Sequence, residues 1–148
     1  MENKQNRVNR FREMGLAINP EKTDLLRELG KVDISELKKR VLALSEDEWD
    51  TEEDFKLNGN KTQTLQSVKH INFRFNKGRT YERFNCSKWD DWKNVLVPIM
   101  DACTEDYGYY NRFYPIVRLA RLPAGCSTIP HTDGNPVTVK PHKISIPI

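Results

Sequence analysis

The run from Ile116 to Ile148, IVRLARLPAGCSTIPHTDGNPVTVKPHKISIPI, sets the tightest limit on the fold, because its turn signals leave room only for short extended segments. An apolar strand pattern leads into a Leu122-Pro123-Ala124-Gly125 turn. A second short strand delivers His131-Thr132-Asp133, and a third, His142 to Ile148, follows a Pro-bracketed loop. Side chains alternate along an extended segment, so residues two apart share a face. His131 and Asp133 can therefore converge on one point and supply two of the three ligands of a 2-His-1-carboxylate triad for Fe(II). The same residues, with Gly134, also spell a strand end and a tight Asp-Gly turn that leaves the imidazole in solvent. A three-residue match alone does not choose between these readings.

Length and charge narrow the class. A chain of 148 residues has room for one domain that buries roughly two-thirds of its unfolded surface. Charged residues make up 30% and apolar ones 37%, with a net charge of +3, a balance that points to a soluble globular protein rather than a disordered or membrane one. No run approaches the ~18 to 20 apolar residues of a membrane span, and the N-terminus has no apolar signal region, so a cytoplasmic address is expected. Cys86, Cys103 and Cys126 are odd in number and widely spaced, which indicates reduced thiols rather than a disulfide scaffold or zinc knuckle. Cys126 lies near His131 in sequence and could approach a metal there, although a small buried thiol is the simpler role.

Three regions follow from the order of patterns. Residues 1–14 read as a flexible N-terminal segment, 15–60 as a helical region, and 61–148 as the β-rich part. A short helix is signalled by Asn19, Pro20, the Leu25, Leu26 and Leu29 face, and Gly30 as its stop. A second starts near Ser35 with Leu37, Val41, Leu42 and Leu44 as its buried stripe. Ser45 to Glu48 has capping-box spacing and opens a run of seven carboxylates through Asp54, read as a solvated turn. From Leu65 to Phe75 the period becomes two: Ile71, Phe73 and Phe75 face one way and His70, Asn72 and Arg74 the other, the pattern of a half-buried strand.

Between Lys69 and Arg83, five cations alternate with Phe73, Phe75 and Tyr81, an interleaving that could serve single-stranded nucleic acid; the low net charge argues against that partner. Ser87 is then placed to cap the longest helix, about residues 88–106, with Trp89, Trp92, Leu96, Ile99, Met100 and Cys103 as a wide apolar stripe and Pro98 expected to kink or split it. In the following strand Arg121 shares a face with Val117 and Leu119, and Arg118 shares the other with Ile116 and Ala120. Either arginine could meet a carboxylate at the mouth of a site, a rim salt bridge being the simpler use. His70 and His142 are weak candidates for a third metal ligand.

The combination of RLARLPAG, the Pro-His-Thr-Asp-Gly segment and HKISIPI resembles the aspartyl/asparaginyl β-hydroxylase family of Fe(II)- and 2-oxoglutarate-dependent oxygenases. Leu37 to Asp50, Thr64 to Phe75 and Trp92 to Tyr109 are similar to the segments that precede the metal motif there, so the resemblance covers roughly residues 33–148. It implies His131 and Asp133 as iron ligands, 2-oxoglutarate as co-substrate, and hydroxylation of a small molecule or a protein side chain. Lys143 and Ser145 stand where the family's strand carries an Arg and a His that help hold 2-oxoglutarate; Lys keeps the charge without the bidentate fork.

Helices followed by short strands suit an α+β double-stranded β-helix, a cupin-like jelly roll with N-terminal helices packed on one sheet. The family's distal His and Arg lie beyond the last strand seen here, so the expectation is an incomplete barrel, the N-terminal part of the oxygenase domain. The rival reading is a non-catalytic cupin-like module that binds a peptide, sugar or nucleic acid.

Overall fold

Lys69–Asn76 forms the central strand, β1, of a three-stranded antiparallel sheet, flanked by Arg83–Asn85 (β2) and Val117–Arg121 (β3) in the order β2-β1-β3. In this computed structural model the described residues are 28–57, 67–78, 80, 82–107, 112–128 and 142–148. With the sheet go three α-helices, Ser35–Leu42 (α1), Glu52–Leu57 (α2) and Trp89–Thr104 (α3), which makes the architecture α+β. The expected segment 1–14 and most of the expected first helix lie outside the described residues. Gly30, its expected stop, has φ +110°, a backbone conformation that glycine adopts without a Cβ clash. Among the described residues no helix is long and apolar enough to cross a membrane.

Helix α1 begins where Asp33 turns back on the chain: its Oδ1 accepts the Ser35 N–H at 2.9 Å and the Ser35 hydroxyl at 2.6 Å. Leu37 is buried, and Val41 and Leu44 pack against the core, but Leu42 is 75% exposed. Positions 37, 41 and 44 follow the i, i+4, i+7 stripe, and Leu42 stands a further 100° round the helix, outside it.

Helix α3 supplies the other layer. Trp89, Trp92, Leu96 and Ile99 are all buried, at the spacing of one helical face, and the Trp92 ring tilts against Phe73 of β1 with centroids 5.1 Å apart. The helix runs unbroken through Pro98. Pro98 removes one N–H from the ladder, leaving the Asn94 carbonyl without its usual partner. Both residues are exposed, so water can take that carbonyl. The cap falls on Lys88 rather than Ser87. Ser87 instead gives its N–H and its hydroxyl to the Glu53 carboxylate, at 3.1 and 2.6 Å, tying the start of α3 to α2.

Strand β1 is not half-buried. Ile71 and Phe73 are fully enclosed on the α3 side, yet His70, Asn72 and Asn76 are each at most 3% exposed as well. The acidic run accounts for the second cover. Asp50 Oδ1 accepts the His70 N–H at 2.9 Å, the Asp50 N–H donates to the His70 carbonyl at 2.9 Å, and Asp54 Oδ1 accepts the Asn72 N–H at 2.7 Å. Strand β2 pairs only with residues 74 to 76 of β1, so along residues 70 to 72 aspartates from the segment around α2 stand in for a missing neighbour. On the other edge β3 pairs from Lys69↔Arg121 to Arg74↔Val117, with a bulge between Asn72 and Arg74.

The rest of the acidic run is also tied down. Glu46 opens a 3-10 turn, Glu46–Glu48, whose capping box joins Ser45 and Glu48 as the spacing predicts. Its Oε2 accepts from Lys69 Nζ and from Arg121 Nη2, each at 2.7 Å, bridging β1 and β3. Those bonds, Arg121 first and Lys69 second, hold the Glu46 carboxyl down to about 2. Because the folded value lies below the ordinary 4.5, the contribution is present above that pH and is lost as pH falls through about 2. Glu46 is exposed, so solvent screens the gain. In an NMR titration the Glu46 carboxyl should show its midpoint well below 4.5, and Arg121→Gln should move it upward; a midpoint that ignores the substitution would disprove the bridge.

Residues 142–148 belong to no strand, against the expectation for HKISIPI. Ile146 packs on the core and Ile148 is 45% exposed. Apolar alternation favours an extended segment but needs a partner edge to make a ladder.

Candidate functional site

Strand β3 and the turn after it form as the sequence predicts. Val117 and Leu119 are buried, opposite Asn72-containing β1, and the Cys126 N–H closes the turn on the Pro123 carbonyl at 3.1 Å, with Gly125 at φ +79°. His131 and Asp133 themselves lie outside the described residues. Lys143 and Ser145, the expected 2-oxoglutarate contacts, are described, and both are exposed. Beside them His142 is half-buried, its ring 4.8 Å from that of Tyr107 at the end of the α3 layer.

The two arginines of β3 part company. Arg118 is exposed, whereas Arg121 pairs with Glu46 and lies 4.5 Å over the Trp49 ring, which is the rim salt bridge. His70 is buried on β1 with Nδ1 3.9 Å from Asp50 Oδ1, whereas His142 rests against Tyr107. Among the described residues no three His, Cys, Asp or Glu side chains gather as metal ligands would. Neither histidine is brought into a ligand cluster there.

The thiols separate by burial. Cys126 is exposed, against the expectation of a buried role. Cys86 is buried, and burial, helped by the Glu53 and Asp54 charges, pushes its thiol up to about 12. It stays protonated at neutral pH and is neither a nucleophile nor a ready metal ligand. A second polar cluster fastens the approach to β3: the Tyr114 hydroxyl donates to Asp101 Oδ1 at 2.9 Å and meets the Thr104 hydroxyl at 2.8 Å, while Arg112 pairs with Asp101 at 3.3 Å. Burial pushes the Tyr114 phenol above its ordinary value. These bonds hold residues 112–114 against the end of α3.

A groove of about 230 Å³ lies between the start of α1 and α3, lined by Asp33, Leu37, Asn94, Val95, Pro98 and Ile99. It falls below the roughly 300 Å³ at which small-molecule pockets begin.

The basic and aromatic run resolves into pairs. Phe73 is in the core, Lys69 and Lys77 meet Glu46 and Glu82, and Arg79 and Tyr81 lie outside the described residues. The Arg74 guanidinium sits 3.8 Å over the Trp89 ring and its Nε–H donates to Asn85 Oδ1 at 3.0 Å. Arg83 lies 4.3 Å over Phe113. Sequence reasoning missed these stacks. Arg74 in the middle of an apolar strand was the available signal.

No family model, no curated protein and no solved structure matches this chain.

Proposed function

We propose that the chain belongs to an Fe(II)- and 2-oxoglutarate-dependent dioxygenase of the aspartyl/asparaginyl β-hydroxylase type, built on a double-stranded β-helix. The observation that carries the reading is the sequence run from the arginine-bearing strand through the turn to Pro-His-Thr-Asp-Gly. An antiparallel sheet with a long helix on one face, and a β3 strand and turn directly before that motif, support it.

In this reading iron rests on His131 and Asp133, the ligands that the resemblance implies. A neutral imidazole and a carboxylate are the donor types that a ferrous ion takes in a facial triad. Iron held there, with 2-oxoglutarate and O2, would supply the oxidising power for hydroxylation, one oxygen atom going to the substrate and the other into succinate as CO2 is lost. Lys143, exposed and cationic, would hold a carboxylate of the co-substrate as a point charge, and the Ser145 hydroxyl would donate a hydrogen bond to it. The substrate is a small molecule or a protein side chain.

Anaerobic Fe(II) titration in the presence of 2-oxoglutarate tests this. Saturable binding should weaken tenfold or more in His131→Ala and in Asp133→Ala, with Lys143→Ala raising the 2-oxoglutarate requirement while leaving iron affinity in place. Iron binding that survives both ligand substitutions would favour the non-catalytic binding module. Succinate release then reads turnover separately.

A further inference from the structure

We propose that Arg74 and Arg83 form a binding site for a phosphate group on the β2 side of the sheet. Register brings them together. Arg74 is paired with Asn85 and Asn76 with Arg83, so the two arginines stand diagonally across the β1–β2 ladder, two positions apart, where side chains share a face. Each guanidinium is laid on an aromatic ring, Arg74 on Trp89 and Arg83 on Phe113, which fixes the plane of the fork before any ligand arrives.

What sets this pair apart is its charge balance. Lys69, Lys77, Arg112 and Arg121 each meet a carboxylate, whereas among the described residues no acidic side chain is paired with Arg74 or Arg83. Two like charges are therefore held close together with one of them half-buried, an arrangement that costs free energy until an anion joins them. The same two causes, burial first and the Arg83 charge second, lower the Arg74 guanidinium from its ordinary value.

Donor geometry selects the anion. Arg74 uses its Nε–H on Asn85, leaving its terminal N–H groups, and Arg83 adds a second fork. Two forks offer more donors than one carboxylate can accept in a plane, and they suit a tetrahedral group with three terminal oxygens. Phe113, 47% exposed beneath Arg83, gives a ring or a base beside the position an aromatic surface to lie on. A phosphate of this kind arrives either as a free phosphate ester or on the backbone of a single strand of nucleic acid.

The test is titration of the full chain at low ionic strength with inorganic phosphate and, separately, with a short single-stranded oligonucleotide, following the Arg side-chain N–H and Trp indole NMR signals. Saturation is expected, at least tenfold weaker in Arg74→Gln and in Arg83→Gln, and unchanged in Lys56→Gln, whose cation pairs with Glu52 on exposed α2. Arg83 is exposed, so its variant keeps the fold if the buried neighbourhood of Arg74 does not tolerate change. Saturation by inorganic phosphate assigns the free ester. Saturation by the oligonucleotide alone, with affinity falling steeply with salt, assigns the strand backbone. No saturation with either probe, or binding that Arg83→Gln leaves intact, overturns the proposal.

Discussion

Replacing Asp54 by Ala should destabilise the fold by about 3 kcal/mol or more, the range found when one partner of a buried charged hydrogen-bond network is removed. Asp54 is 2% exposed. Its Oδ1 accepts both the Asn72 N–H and the Asn72 side-chain amide, at 2.7 and 2.9 Å, and its Oδ2 accepts the Thr51 hydroxyl at 2.8 Å and the Thr51 N–H at 3.2 Å. Alanine leaves two donors on the central strand buried without acceptors. Asp54→Asn separates the causes: it keeps one acceptor oxygen but turns an N–H₂ toward donors, and it should fall between alanine and the parent. Urea denaturation reads both. A loss under about 1 kcal/mol in the alanine variant would mean that water replaces the carboxylate and that the acidic segment does not hold β1.

The second large effect is on the apolar face of the same strand. Phe73→Ala should cost about 3 to 5 kcal/mol, since the ring is fully enclosed and its removal leaves a cavity against α3. That is a large share of the ~5 to 15 kcal/mol by which domains are usually stable. Because Phe73 and Trp92 are in ring contact, a double-mutant cycle with Trp92→Leu should show coupling of about 0.5 to 1.5 kcal/mol. Strict additivity would show that the two rings are only co-buried.

Helical periodicity carried its information faithfully: Trp89, Trp92, Leu96 and Ile99 are buried as their spacing predicts, because one helix face packs on one sheet face. Leu42 went astray because a leucine next to a stripe looks like part of it, and only the helix's rotation against α3 decides. The burial of His70, Asn72 and Asn76 was not legible at all. Alternation marks a polar face, but whether that face meets water depends on a segment some twenty residues earlier folding back across it. Seven consecutive-looking carboxylates likewise read as a solvated turn until their partners on β1, β3 and Ser87 are in view.

The candidate site divides in the same way. Spacing placed the strand and turn before the metal motif, since both are local, but left open which of Arg118 and Arg121 makes the rim salt bridge. It did not find that His142 rests on Tyr107, nor that Arg74 and Arg83 share a ladder face. Those juxtapositions depend on β-register, which one bulge or one turn residue can shift.

The aspartates along β1 have one more effect. A central strand with amides exposed at positions 70 and 72 would offer a template for the strand of another molecule, and cross-β polymers start at such templates. Here Asp50 and Asp54 already occupy those amides, and they present negative charge to any strand that approaches. The chain thereby guards its own central strand against self-polymerisation.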